Sequence, residues 1–139
     1  MLRKTKMTSA LVYLGDLRTE ATHLASGTKV QFDAPIDNHG KGEAFSPTDM
    51  VATSLGTCMM TLMGIAANAH GIKMEGTKAN ILKVMGAAPR KIAEIRIAFE
   101  FPSNEYSSKE KKILQNAALT CPVALSLHPG LLQNITFQW

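Results

Sequence analysis

Aromatic side chains are scarce in this chain of 139 residues: Phe, Trp and Tyr together make up 6%, and Trp139 is the single tryptophan. A core of ordinary size must therefore be built from aliphatic side chains and the eight methionines. Cysteine is scarcer still, with only Cys58 and Cys121. Two cysteines without an export signal exclude a disulfide framework and point to reduced thiols in the cytoplasm. Arg3, Lys4 and Lys6 are followed by Thr8 and Ser9 rather than by an apolar run, so secretion is not expected. Thr53, Ser54, Thr57 and Asn68 interrupt the most apolar segment, and no membrane span is expected from it. No two of Cys58, Cys121, His23, His39, His70 and His128 lie within four residues of each other, whereas a structural zinc site announces itself by close pairs. No metal and no bound cofactor are expected. There is no nucleophile elbow, no dinucleotide fingerprint and no phosphate loop, Gly40-Lys41-Gly42 being too short. Excess charge is small, 15 Lys and Arg against 11 Asp and Glu. Its two basic groups, Arg3-Lys4-Lys6 and Lys109-Lys111-Lys112, read as solvated lysines rather than a nucleic-acid surface.

What is present suits one globular domain spanning residues 1–139, since 45% of the residues are hydrophobic and 19% charged. Short apolar runs between Lys6 and Phe32, punctuated by Gly15-Asp16 and Gly27, predict a strand, a hairpin and two further short strands. Residues 33–46 carry Pro35, Asp37, Asn38, Gly40 and Gly42 and predict a loop long enough to suspect function. Ser46-Pro47-Thr48-Asp49 then supplies an N-cap, a first-turn proline and a first-turn carboxylate, so a helix is expected from Pro47 to His70 with Gly71 as its stop. Met50, Val51, Leu55, Met59, Met60, Leu62, Met63 and Ile65 cover most of its circumference, which predicts burial nearly all round. Gly56 and Gly64 suggest close packing against another element. Strands are expected over 74–85 and 91–101, a helix over 109–120, a short helical turn after Cys121-Pro122, and a last strand over 132–139. The sum is an α+β fold whose central helix one small sheet can barely cover, so burial alone asks for an intimate homodimer.

The cysteines read unequally. Cys58 sits inside the long helix, where every amide is engaged in the helix ladder, and it needs an external cation to become reactive. On position alone, it is better explained as a small buried hydrophobe. Cys121 precedes Pro122 and can cap the turn that follows, where free amides favour a thiolate. Local geometry thus nominates Cys121 as the more acidic thiol, and spacing alone does not bring the two together.

The segment FSPTDMVATSLGTCMMTLMGIAANAHGI, Phe45 to Ile72, resembles the OsmC/Ohr superfamily, as does TCPVALSL, Thr120 to Leu127. The stretches YLGDLRTEATH and DAPIDNHGKGEAFSP extend the likeness over almost the whole chain. The resemblance implies antiparallel sheets wrapped around a long buried central helix in an intertwined homodimer, with active sites at the subunit interface. It also implies a thiol-dependent peroxidase acting on organic hydroperoxides. Cys58 would attack the peroxide and become a sulfenic acid, Cys121 would resolve it to a disulfide, and a small dithiol or a lipoylated protein would reduce the disulfide. Arg18 would supply the cation, held by a carboxylate near the start of the long helix. Where the family carries an acid close after the turn proline, this sequence has the neutral Thr48, and Asp49 is the next carboxylate. Asp49 could equally serve only the helix end. Met59, Met63, Phe45 and Leu125 would line the site and favour alkyl or fatty-acyl peroxides. Two other readings compete: a non-enzymatic dimer binding a small hydrophobic ligand at its interface, and a thiol switch that forms a disulfide without turnover.

Overall fold

The computed structural model describes residues 6–102 and 105–139; Arg3 and Lys4 of the first basic group lie outside the described residues. The chain's contacts gather into two compact units, 1–50 and 51–139.

The first unit is an antiparallel meander of β1 (Ser9–Gly15), β2 (Arg18–His23) and β3 (Lys29–Asp33). Asp16 and Leu17 join β1 to β2 with φ of 52° and 61°, the two positive values that a tight hairpin turn matched to strand twist requires. After β3 the chain makes a short 3-10 turn at Ile36–Asn38 and folds back on itself. Ala34 N–H donates to the Leu17 carbonyl, Gly42 N–H to the Ala34 carbonyl and Asp33 N–H to the Phe45 carbonyl, at 3.1, 3.2 and 3.1 Å. Gly40 passes so close to the Ala34 carbonyl that no side chain fits there. The loop is therefore closed by its own backbone rather than draped over the surface.

The second unit holds most of α1 (Pro47–His70), then β4 (Lys78–Ala87), β5 (Arg90–Glu100), α2 (Ser108–Leu119), α3 (Pro122–Ser126) and β6 (Leu132–Gln138). The bounds expected for α1 hold to the residue. β4 and β5 form an antiparallel hairpin, whereas β6 runs parallel to β5, with Ile95 opposite Gln133 and Phe99 opposite Phe137. This corrects the expectation of wholly antiparallel sheets: the connection through α2 and α3 is a crossover, and a crossover lets the returning strand run parallel. α2 starts on a reciprocal cap, Ser107 Oγ accepting from Glu110 N–H and Glu110 accepting from Ser107 N–H.

Strand alternation turns Ile95, Ile97 and Phe99 of β5 inward, and they are buried with Ala52, Leu55, Met59, Met63 and Ala67 of α1 and Leu114 and Ala118 of α2. Each fully buried Leu, Ile, Met or Phe here contributes about 1.5–3 kcal/mol. The buried residues of α1 recur every three or four positions, a single stripe. Within the chain α1 is thus not buried all round, and Val51 and Ile65 are exposed. α1 is long and apolar enough to cross a membrane by length and composition alone, and its buried stripe is that of a core helix. Gly56 does mark a close approach, to Ile81 of β4, whereas Gly64 has open space where a side chain would stand, against the expectation of close packing at both. At one end of the sheet Trp139 stacks on Phe101 at 4.2 Å between ring centroids, next to Tyr106 and Phe137 and beneath the Lys111 ammonium.

Candidate active site

In the first unit, Arg18 opens β2 and pairs in register with Asp33, the last residue of β3. That register aims both side chains at one spot. The Arg18 guanidinium grips the Asp33 carboxylate with two parallel hydrogen bonds, Nε to Oδ1 at 2.6 Å and Nη2 to Oδ2 at 2.8 Å. The closed loop brings Glu43 to the same place: its carboxylate accepts from Arg18 Nη2 at 3.2 Å, and its own N–H donates to Asp33 Oδ2 at 3.1 Å. Asp33 is buried and Glu43 exposed. The hydrogen bonds from Arg18 hold the Asp33 carboxyl below its ordinary value, and those to Asp33 and Glu43 push the guanidinium further up. A planar fork on a carboxylate is the pairing a guanidinium makes best, and it fixes the orientation of the whole head group.

Asp49 makes the contacts of its helix-end reading. Its Oδ2 accepts from Ser46 N–H at 3.0 Å, and its own N–H donates to Ser46 Oγ at 3.1 Å, a reciprocal cap on the first turn of α1. Asp33 and Glu43, both bonded to Arg18, were not nominated by the sequence reading. A signal for Asp33 existed: it follows an alternating strand one hairpin away from Arg18, so the pairing register would have found it. Nothing local marks Glu43, which arrives only through the backbone closure of its loop.

In the second unit, both cysteines are free thiols. Cys58 lies beside the buried stripe of α1 and is half-buried, packed against the core to which Cys121 belongs. Cys121 is fully buried, at 0% exposure. As expected, it caps α3, its Sγ accepting from Ala124 N–H at 3.4 Å. The expected consequence does not follow. Burial raises the Cys121 thiol above its ordinary value; the hydrogen bond from Ala124 pulls the other way, and the neighbouring Cys58 side chain adds to the rise, both as a hydrogen-bonding partner and by charge. Loss of hydration outweighs one long amide bond, so Cys121 is not the acidic thiol that its cap position suggested. The same interaction makes the two thiols neighbours, which spacing alone did not show. Three further hydrogen bonds hold the Cys121 turn: Cys121 N–H to the Ala118 carbonyl at 3.4 Å, Leu125 N–H to the Cys121 carbonyl at 3.1 Å, and Gln133 Nε2 of β6 to the Ala124 carbonyl at 3.0 Å.

Of the expected apolar lining, Met59 and Met63 are fully buried and belong to the core, while Leu125 is exposed, as is Phe45 in the first unit. Met59 and Met63 fall on the helix stripe that packs onto the sheet, which removes them from any surface a substrate could touch. Among the described residues no group of three or more His, Cys, Asp or Glu side chains is arranged to hold a metal ion.

An α+β scaffold presenting one half-buried and one buried free thiol as neighbours defines a paired-thiol protein. The sequence model of the family described as OsmC-like protein matches residues 40–135. The crystal structure of an osmotic-stress-induced and detoxification response candidate from Psychrobacter arcticus 273-4 is 48% identical, with a TM-score of 0.93 over 99% of this chain and 100% of that one. The chain belongs to the OsmC-like family. The same fold appears in an organic hydroperoxide resistance protein OsmC from Legionella pneumophila, 15% identical with a TM-score of 0.74 over 98% of this chain and 100% of that one. It appears again in an organic hydroperoxide resistance protein from Elizabethkingia anophelis, 15% identical with a TM-score of 0.67 over 98% and 99%. No curated protein matches the chain.

Proposed function

We propose that this protein is a thiol peroxidase that reduces organic hydroperoxides through Cys58 and Cys121. The observation that carries the reading is the neighbouring pair of free thiols, of which only Cys58 has access to solvent. In the first step the Cys58 thiolate attacks one peroxide oxygen, the O–O bond breaks, the alcohol leaves with a proton, and Cys58 becomes a sulfenic acid. Cys121 then attacks Cys58 Sγ; the S–OH bond breaks, the hydroxide leaves as water with the Cys121 proton, and a disulfide remains. An external dithiol, free or carried as a lipoyl group, reduces the disulfide. Because burial keeps Cys121 protonated, it does not compete for peroxide, which supports the order of attack. The apolar surroundings of both thiols favour alkyl or fatty-acyl peroxides, and the names of the Legionella and Elizabethkingia relatives point to the same substrate class.

Arg18 is the cation assigned to the Cys58 thiolate in this reading, with Asp33 and Glu43 orienting it and Asp49 serving the start of α1. The working unit is a homodimer. Turnover of cumene hydroperoxide with a dithiol reductant tests the proposal. Cys58→Ser should abolish turnover, and Cys121→Ser should form one sulfenic acid per chain, trapped by a dimedone-type probe, without sustained turnover. Undiminished turnover in Cys58→Ser would sink the reading.

A further inference from the structure

Disulfide reduction can begin at either sulfur, and the two sulfurs of this pair differ in access. A thiolate attacks a disulfide along the line of the S–S bond, from the side opposite the sulfur that leaves. To strike Cys121, a reductant would have to come from behind its Sγ. That side of Cys121 is core: the residue is fully buried, in one cluster with Leu114 and Ala118. Nor is the turn free to swing outward, since its backbone is bonded to Ala118 and Leu125 and Gln133 ties its Ala124 carbonyl to β6. Cys58 sits at the margin of the same cluster and retains exposure. Pairing with a second copy can only deepen the burial of Cys121.

We infer that the reductant of the Cys58–Cys121 disulfide attacks Cys58 and never Cys121, so that every catalytic cycle returns through a mixed disulfide on Cys58. This deepens the peroxidase reading and rests on it for the source of the disulfide. A reductant thiolate bonds to Cys58 Sγ, the Sγ–Sγ bond breaks, and its electron pair passes to Cys121 Sγ. Ala124 N–H already points at that sulfur and receives the developing charge, and the raised proton affinity of Cys121 draws a proton onto it. The second thiol of the reductant, as thiolate, then attacks the first reductant sulfur, releasing Cys58 as thiolate and leaving the reductant as a cyclic disulfide. Cys58 is thereby the only sulfur that meets either external reactant, peroxide or dithiol.

The test uses a monothiol, which can perform the first step but not the second. Wild-type protein is oxidised with one equivalent of cumene hydroperoxide, mixed briefly with 2-mercaptoethanol, quenched in acid, labelled with a maleimide and mapped by peptide mass spectrometry. The expected result is mercaptoethanol on Cys58 and maleimide on Cys121, in roughly tenfold or greater excess over the reverse pattern at the earliest times. A parallel sample oxidised with copper phenanthroline forms the disulfide without peroxide. If that sample gives the Cys58 adduct while hydroperoxide yields no disulfide, the peroxidase reading fails and the direction of reduction stands. Adduct on Cys121 in either sample overturns the inference, and so does failure of both oxidants to link the two cysteines.

Discussion

Arg18 and Asp33 show how one residue pair can couple a hairpin's register to its electrostatics. The register sets the two opposite each other, and the fork then holds the Asp33 carboxyl below its ordinary value of 3.8. A carboxyl whose folded pKa lies below its unfolded one adds stability that is present above the unfolded value and lost as pH falls through the folded one. Asp33→Asn should therefore lower the urea midpoint at neutral pH, and its deficit against wild type should close below about pH 4. A deficit that persists unchanged in acid would mean that packing, not the ion pair, is what Asp33 supplies. At this scale the sequence was only half legible. Arg18, Cys58 and Cys121 stand out by residue type and motif, but the acid partners of Arg18 depend on which backbone positions meet, and that is decided by strand register and loop closure. The Cys121 thiol is a related case: its cap was readable from Cys-Pro, its burial was not, and burial decides its proton affinity.

At the scale of elements, legibility follows the strength of local signals. Ser46, Pro47, Asp49 and Gly71 bracket α1 so tightly that its bounds were readable to the residue. The direction of β6 was not, because alternation of apolar residues says which face a strand buries and nothing about which way it runs. α1 and β4 meet at Gly56, where a Cβ would stand 2.6 Å from Ile81 Cδ1 and 3.7 Å from Ile97 Cδ1. Gly56→Val should cost about 1–3 kcal/mol through overpacking, read from denaturant unfolding with an unchanged slope. If the variant were as stable as wild type, the helix and the strand would have to be separable at that crossing. Cys58 lies two residues further along the same helix, so its position beside the Cys121 turn depends on how closely α1 settles there.

For the whole molecule, apolar residues left outside are as informative as those within. Leu11 is 72% exposed and Tyr13 63% exposed on one face of β1, and Val12 and Leu14 are exposed on the other. An edge strand with both faces bare is a surface that soluble proteins cover. The proposed homodimer predicts a sedimenting species of twice the chain's 15.0 kDa at micromolar concentration, and Leu11→Lys combined with Tyr13→Lys should shift it toward one chain. A wild-type protein that sediments as single chains at every concentration would remove the dimer from the proposal. The order of predicted elements had pointed to the α+β class and to a helix in want of cover, but no sequence pattern separated residues 1–50 from 51–139 as compact units. That separation gives the stack on Trp139 an unexpected use. The chain's one indole is held between aromatic neighbours in the second unit, while the first has none. Its emission is a built-in optical gauge of the thiol-bearing half alone, and melting followed by that light, set beside melting followed by backbone dichroism, reads out whether the two halves come apart together or in turn.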